Sequence, residues 1–305
     1  MYLHENQEDW GELVARAAKR YALAEAFVVK DYFIYLALKL ITRENPEIVF
    51  KGGTCLSKCH NAISRFSEDV DLGLEVEHAT EGQRKRMKAA VTHAVEEMGL
   101  AIENLDETRS RREFNKYLIP LPSTGIGFSS DTLIIETAVM TPASPAVAKT
   151  VDSYLYRLCI DEGFHDIVSE YELEPFKLIT NSIERTFVDK VFALCDYYMA
   201  GPIPPRQSRH IYDLYKLSSI ISFDETLAAL FDTVRQQRKS AHGCPSAQDD
   251  VDVPLVLEAI IKDDAYRNDY RDITAPLLFE DVPYEEAAIP LQAIAKFMRS
   301  HATSG

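Results

Sequence analysis

Hydrophobic spacing changes period several times along the first half of the chain. From residue 8 to residue 42 apolar side chains recur at helical intervals among helix formers, which predicts a helical region closed by Asn45-Pro46. Ile48-Val49-Phe50 is a short apolar run stopped by Gly52-Gly53 and reads as a buried strand. Residues 54–63 then read as a short helix with Thr54 at its N-cap. Val70, Leu72, Leu74 and Val76 alternate with Asp71, Gly73 and Glu75, the period of a strand. An amphipathic helix is expected over 81–98, ending at Gly99, and strands over 100–105, 114–121 and 132–140.

After Pro142 and Pro145 the pattern becomes helical, with helices expected at 181–200, 208–221, 224–239, 253–267 and 285–301. The reading is an α+β protein, with a mixed domain over 1–145 and a mainly helical domain over 146–305, divided softly near 141–150. No internal repeat or low-complexity tract interrupts it.

Composition narrows the class. A chain of 305 residues that is 46% hydrophobic can bury a substantial core. Its most apolar stretch, 22–41, is interrupted by Glu25, Lys30, Asp31 and Lys39, so no membrane span is expected. The N-terminus carries no basic signal-peptide region, which makes the cytoplasm the expected location. The five cysteines are odd in number and scattered, and do not make a disulfide framework. Cys55, Cys59 and His60 raise zinc, but no second pair stands at a finger-like spacing.

A net charge of −15 excludes broad binding to duplex DNA. Two dense basic runs remain, Arg84-Lys85-Arg86 with Lys88, and Arg109 with Arg111-Arg112. They read as a solvated helix face and a charged turn, or as a narrow electropositive track at a cleft mouth.

Candidate chemistry gathers near residues 51–71. In Lys51-Gly52-Gly53-Thr54 a strand runs through two glycines into a helix, which lets backbone N–H groups approach a polyphosphate. Asp69 and Asp71 stand two apart at the start of a strand, so both side chains project to one face. Adjacent carboxylates repel unless a cation lies between them, and hard oxygen ligands suit Mg²⁺. Glu136, an acid in an otherwise apolar strand, is either a third metal ligand or a salt-bridged side chain.

Phe50-Lys51-Gly52-Gly53-Thr54-Cys55-Leu56-Ser57-Lys58 followed by Arg65-Phe66-Ser67-Glu68-Asp69-Val70-Asp71-Leu72 closely resembles the AbiEii/AbiGii toxin family of nucleotidyltransferases. Glu184-Arg185-Thr186-Phe187-Val188-Asp189-Lys190 and Arg209-His210-Ile211-Tyr212-Asp213-Leu214-Tyr215-Lys216-Leu217 fit the same family in order, and Lys30-Asp31-Tyr32 resembles it upstream. Val188-Asp189 departs from the bulkier residue and Glu more usual before the lysine, and no motif follows residue 221.

The resemblance implies a polymerase-beta-like nucleotidyltransferase core with a helical C-terminal domain. It also implies the toxin of a bacterial toxin–antitoxin or phage-defence pair, with a cognate antitoxin, an NTP substrate and an RNA acceptor, foremost a tRNA 3′ end. By position Asp69 and Asp71 bind metal, and Lys190 and Asp213 complete the site. Gly52, Gly53, Thr54, Lys58, Ser67 and Arg209 are the candidate nucleotide-binding residues. On the helix expected over 208–221, Asp213 is spaced to pair with Arg209 or to orient Lys190. Two other readings remain: transfer to a protein or small-molecule hydroxyl, and a non-catalytic NTP-binding module, against which intact Asp69, Asp71 and Lys190 argue.

Overall fold

The computed structural model describes residues 1–122 and 132–301. The chain divides into two compact units. The first is built from Met1–Cys59, Ser67–Val139 and Ala146–Thr180, the second from His60–Phe66, Met140–Pro145 and Asn181–Gly305.

In the first unit the long helical pattern is two helices, α1 (Gln7–Tyr21) and α2 (Glu25–Glu44). Ala22 takes a left-handed φ of 54° and its N–H closes onto Ala18 O, which stops α1. Ala22 is itself apolar, so periodicity alone does not reveal the break. Tyr32, Phe33, Leu36, Ala37, Leu40 and Ile41 of α2 are all buried, which explains a helix apolar round most of its surface.

There follow β1 (Val49–Lys51), α3 (Gly52–Lys58), β2 (Asp69–Gly73), α4 (Glu81–Glu97), β3 (Phe114–Pro120), β4 (Thr132–Ala138), β5 (Ala146–Val151), α5 (Tyr154–Glu162), α6 (His165–Glu170) and β6 (Phe176–Asn181). The strands form one sheet in the order β3-β4-β2-β1-β6-β5. β1 runs antiparallel to β2 and parallel to β6, β2 runs parallel to β4, and β3 runs antiparallel to β4.

Alternation gives this sheet two unlike faces. Val70, Leu72, Ile135 and Tyr117 share one hydrophobic cluster with residues of α2 and with Met87, Ala90 and Val91 of α4. The intervening residues Asp69, Asp71, Glu136 and Lys116 therefore point to the other face.

Two expectations change here. Residues 100–105 are not a strand. Leu100 and Ile102 pack against the core, Glu103 N donates to Leu118 O at 2.8 Å, and the Asn104 side chain takes the next ladder position by accepting from Leu118 N. Conversely, 146–181 supply two strands and two helices that the pattern did not announce. β5 is mostly exposed, so it carries no core stripe. The sheet thus draws two strands from beyond the composition break near 141–150.

The second unit is helical: α7 (Ile183–Met199), α8 (Arg209–Ser218), α9 (Glu225–Lys239), α10 (Val253–Lys262), α11 (Arg267–Asp269), α12 (Tyr284–Ala287) and α13 (Ile289–Ser300). Ser182, Asp224 and Asp252 cap α7, α9 and α10 through their side chains. Among the described residues no helix is long and apolar enough to cross a membrane.

Buried Asp196 ties three elements of this unit together. It accepts from Ser246 N at 2.8 Å and Ser246 Oγ at 2.6 Å, and pairs with Arg238 at 2.6 Å. Replacing it removes one partner of a buried pair and strands the guanidinium. Asp196→Ala should lower the unfolding free energy by about 3–5 kcal/mol, measured by urea denaturation. A change within experimental error would show that the network does not hold this unit.

Candidate active site

The turn from β1 into α3 is set by one glycine. Lys51 leaves the strand in an extended conformation, and Gly52 turns the chain at a φ of 76°. A Cβ on Gly52 would stand 1.9 Å from Asp71 Oδ2, so no other residue fits without displacing that carboxylate. The helix begins at Gly52, which corrects the expectation of Thr54 as its N-cap. Thr54 is buried instead, its hydroxyl 2.5 Å from Asp69 O and 2.9 Å from Ser67 Oγ. A hydroxyl has one proton and a carbonyl only accepts, so Thr54 donates to Asp69 O and is free to accept from Ser67.

Asp71 stands opposite Lys51 on β1 and opposite Glu136 on β4, and Glu136 stands opposite Lys116 on β3. Residues in register share a face, so a row of lysine, aspartate, glutamate and lysine crosses four strands. Asp69 lies two residues up the same face. Glu136 pairs with Lys116 at 3.2 Å, the salt-bridged alternative for that residue. Among the described residues no three His, Cys, Asp or Glu side chains are gathered closely enough to hold a metal ion by themselves, and that applies to Cys55, Cys59 and His60 as well. A small hard ion does not need three. It takes one or two carboxylates and fills its shell with phosphate oxygens and water. The all-oxygen pair Asp69 and Asp71 fits such an ion.

Neighbouring charges are tied down. Lys58, at the end of α3, forms an ion pair with Asp31, which also accepts from Tyr154 N at 2.9 Å. Lys30, 1% exposed, donates to Glu68 at 2.9 Å.

Three expected site residues belong to the second unit. Asp213 is fully buried and grips Arg65 bidentately, with Nε and Nη2 each at 2.7 Å, while Lys190 Nζ lies 2.6 Å away. Burial pushes the Asp213 carboxyl upward, but Arg65 and Lys190 outweigh it and hold the group well below the usual carboxylate range. Asp213 thus lies beside Lys190, as one of the two expected pairings required, and not in a surface ladder. Arg209 Nε donates to Arg206 O at 3.1 Å. His210 Nδ1 lies 3.5 Å from Lys190 Nζ. Burial, and then the Lys190 charge, push its pKa well below 6.5, so the ring is neutral.

The electropositive track is not supported. α4 packs on the Val70 and Leu72 side of the sheet, opposite Asp69 and Asp71. Arg86 pairs with Glu47 at 3.1 Å, and Lys88 donates to Thr108 O at 3.0 Å, drawing the 109–112 turn toward α4. Lys85 and Arg86 are more than half exposed, on a solvated face of the helix and not on the acidic face of the sheet.

Residues 40–294 match the family described as "Nucleotidyl transferase AbiEii toxin, Type IV TA system". The chain belongs to the AbiEii nucleotidyltransferase toxin family. This AbiEii protein is therefore a nucleotidyltransferase with an NTP substrate, a class that typically uses a divalent metal, and its type IV system implies a cognate antitoxin. Among solved structures it is similar to MenT4, the nucleotidyltransferase toxin Rv2826c from Mycobacterium tuberculosis H37Rv. Identity is 19% and the TM-score 0.52, over 94% of this chain and 89% of that one, a likeness of fold. No curated protein matches the chain.

Sequence reasoning passed over Arg65 in the AbiEii chain, although it opens the second motif. Its partner lies 148 residues away, so only a cation fixed ahead of the acidic pair could have signalled it.

Two measurements check this geometry. Gly52→Ala should cost more than about 1 kcal/mol and lose activity, because the new methyl displaces Asp71. Gly82→Ala, in α4 with its nearest neighbour at 3.8 Å, should instead be neutral or stabilise by up to about 1 kcal/mol. Equal effects on melting temperature would refute the close approach. For His210, a lowered folded pKa means that the unfolded chain takes up a proton below pH 6.5 while the folded one does not. Stability from this group is complete above that pH and falls as the solution is acidified through it. His210→Gln should flatten the decline between about pH 6.5 and 5, read from unfolding midpoints across pH.

Proposed function

We propose that the protein transfers a nucleotide from an NTP to the 3′ end of an RNA, with tRNA as acceptor, using Mg²⁺ held by Asp69 and Asp71. The observation that carries this reading is the seating of the Asp71 carboxylate against the Gly52 turn, with Asp69 on the same face. A bound Mg²⁺ would neutralise the charge of the triphosphate and of the departing pyrophosphate. The protein's own part is positioning and electrostatics. Gly52 and Gly53 keep the turn free of side chains so that peptide N–H groups can meet phosphate oxygens. Thr54 and Ser67 hold the entry to β2, and Lys58 stays close to its Asp31 partner. Glu136 is an acid held by Lys116 beside Asp71. Lys190, Arg209 and Asp213 are assigned to the site on the family's motif order, Lys190 as a compact charge for phosphate.

An RNA end carries phosphate toward an acidic chain. Lys51 and Lys116, which bracket the acids in the same row, supply local positive charge where the α4 arginines do not. Such acceptors place the action in the cytoplasm, and phage defence is the same chemistry under another trigger.

Asp69→Asn and Asp71→Asn should each reduce transfer on the order of 10²-fold or more while leaving the melting temperature nearly unchanged. The assay incubates protein, Mg²⁺, each labelled NTP in turn and total cellular RNA. Turnover near wild type in either variant removes the metal-site assignment. Label found only in protein or small molecules replaces RNA as the acceptor.

A further inference from the structure

The Lys30-Asp31 pair lies on α2, outside the strands and the turn that carry the proposed chemistry. Consecutive helix residues diverge by about 100° around the axis. Lys30 therefore reaches one neighbour and Asp31 another. Lys30 Nζ donates to Glu68 Oε2 at 2.9 Å, and Glu68 lies between Ser67 and Asp69. Asp31 holds Lys58 at the end of α3 and accepts from Tyr154 N at the start of α5. One dipeptide thus contacts both the segment that enters β2 and the helix that begins at Gly52.

Stability is a poor reason for this arrangement. Lys30 is 1% exposed, and Ala26, Phe27, Phe33 and Ile34 stand one turn away from it along α2. An unbranched apolar side chain would fill the same space without desolvating an ammonium. A buried ion pair spanning two elements instead imposes one relative placement on them, as a non-directional apolar contact does not.

We propose that Lys30 and Asp31 are positioning residues of the nucleotidyltransferase site: Lys30 fixes the Ser67–Asp69 segment through Glu68, and Asp31 fixes α3 through Lys58. This rests on the assignment of Asp69 and Asp71 as the metal-holding pair. Neither residue need touch a substrate. Their effect is to keep the carboxylates and the Gly52 turn at the spacing that the reaction requires, and small misplacements of reacting groups are costly.

The test pairs Lys30→Met with Glu68→Gln, so that both charges of the pair disappear together and side-chain volume is kept. Asp31→Asn is made separately. Three quantities are measured on the full chain: the unfolding midpoint, steady-state kinetics with NTP and RNA, and amide hydrogen exchange. The double variant should unfold at or above the wild-type midpoint. Its kcat should fall by about 10-fold or more while KM for NTP changes by less than about threefold. Amides of residues 67–70 should exchange faster while those in the interior of α2 do not. Asp31→Asn should speed exchange at Tyr154 and through the last turn of α3, with kcat again falling more than KM rises.

Wild-type kcat in both variants overturns the proposal. So does a loss of activity that tracks a lowered midpoint, or a loss without any change in exchange at 67–70. If the wild-type protein transfers nucleotide to no acceptor but exchange responds as stated, the clamp stands and the reading of the site's chemistry falls.

Discussion

The carboxylate of Asp71 occupies the space that a side chain at Gly52 would need. That single approach fixes much around it. It requires a residue without a side chain where β1 ends, and the same glycine turns the backbone at a φ of 76° into α3. It is compatible with only one register of β1 against β2, the one that sets Lys51 opposite Asp71. With α3 so placed, Thr54 reaches the Asp69 carbonyl and ties the helix to the acidic strand.

Charge is managed locally in a chain of net charge −15. On the sheet, Asp71 and Glu136 are bracketed by lysines in register, and a metal ion would add the remaining positive charge. In the helical unit Asp213 keeps its charge without exposure because a planar guanidinium fork and an ammonium both meet it. Burial, and after it the same ammonium, keep His210 neutral. Buried pairs of this kind add little net stability over well-packed apolar residues.

Fold and activity rest on different grounds. The similarity to MenT4 is a likeness of architecture at 19% identity. The activity follows from membership of the AbiEii family over residues 40–294. The face opposite is filled by α2 and α4, which is why a basic helix close in sequence to the acids contributes nothing beside them.

The sequence by itself determined what depends on neighbours along the chain. Strand alternation put Asp69 and Asp71 on one face, paired glycines marked the turn, and helical patterning located α7 and α9. These are local consequences of backbone geometry and are written in a few consecutive residues. Tertiary structure decided the rest. The break at Ala22 lies inside an unbroken apolar pattern, and β5 and β6 join the sheet without a core stripe on β5 to announce them. The partners of Arg65, Lys30 and Lys58 lie 148, 38 and 27 residues away. Ion pairing leaves no period in a sequence, because a charge on a helix looks the same whether it faces water or a buried carboxylate. Only the packed chain shows which of the two it meets.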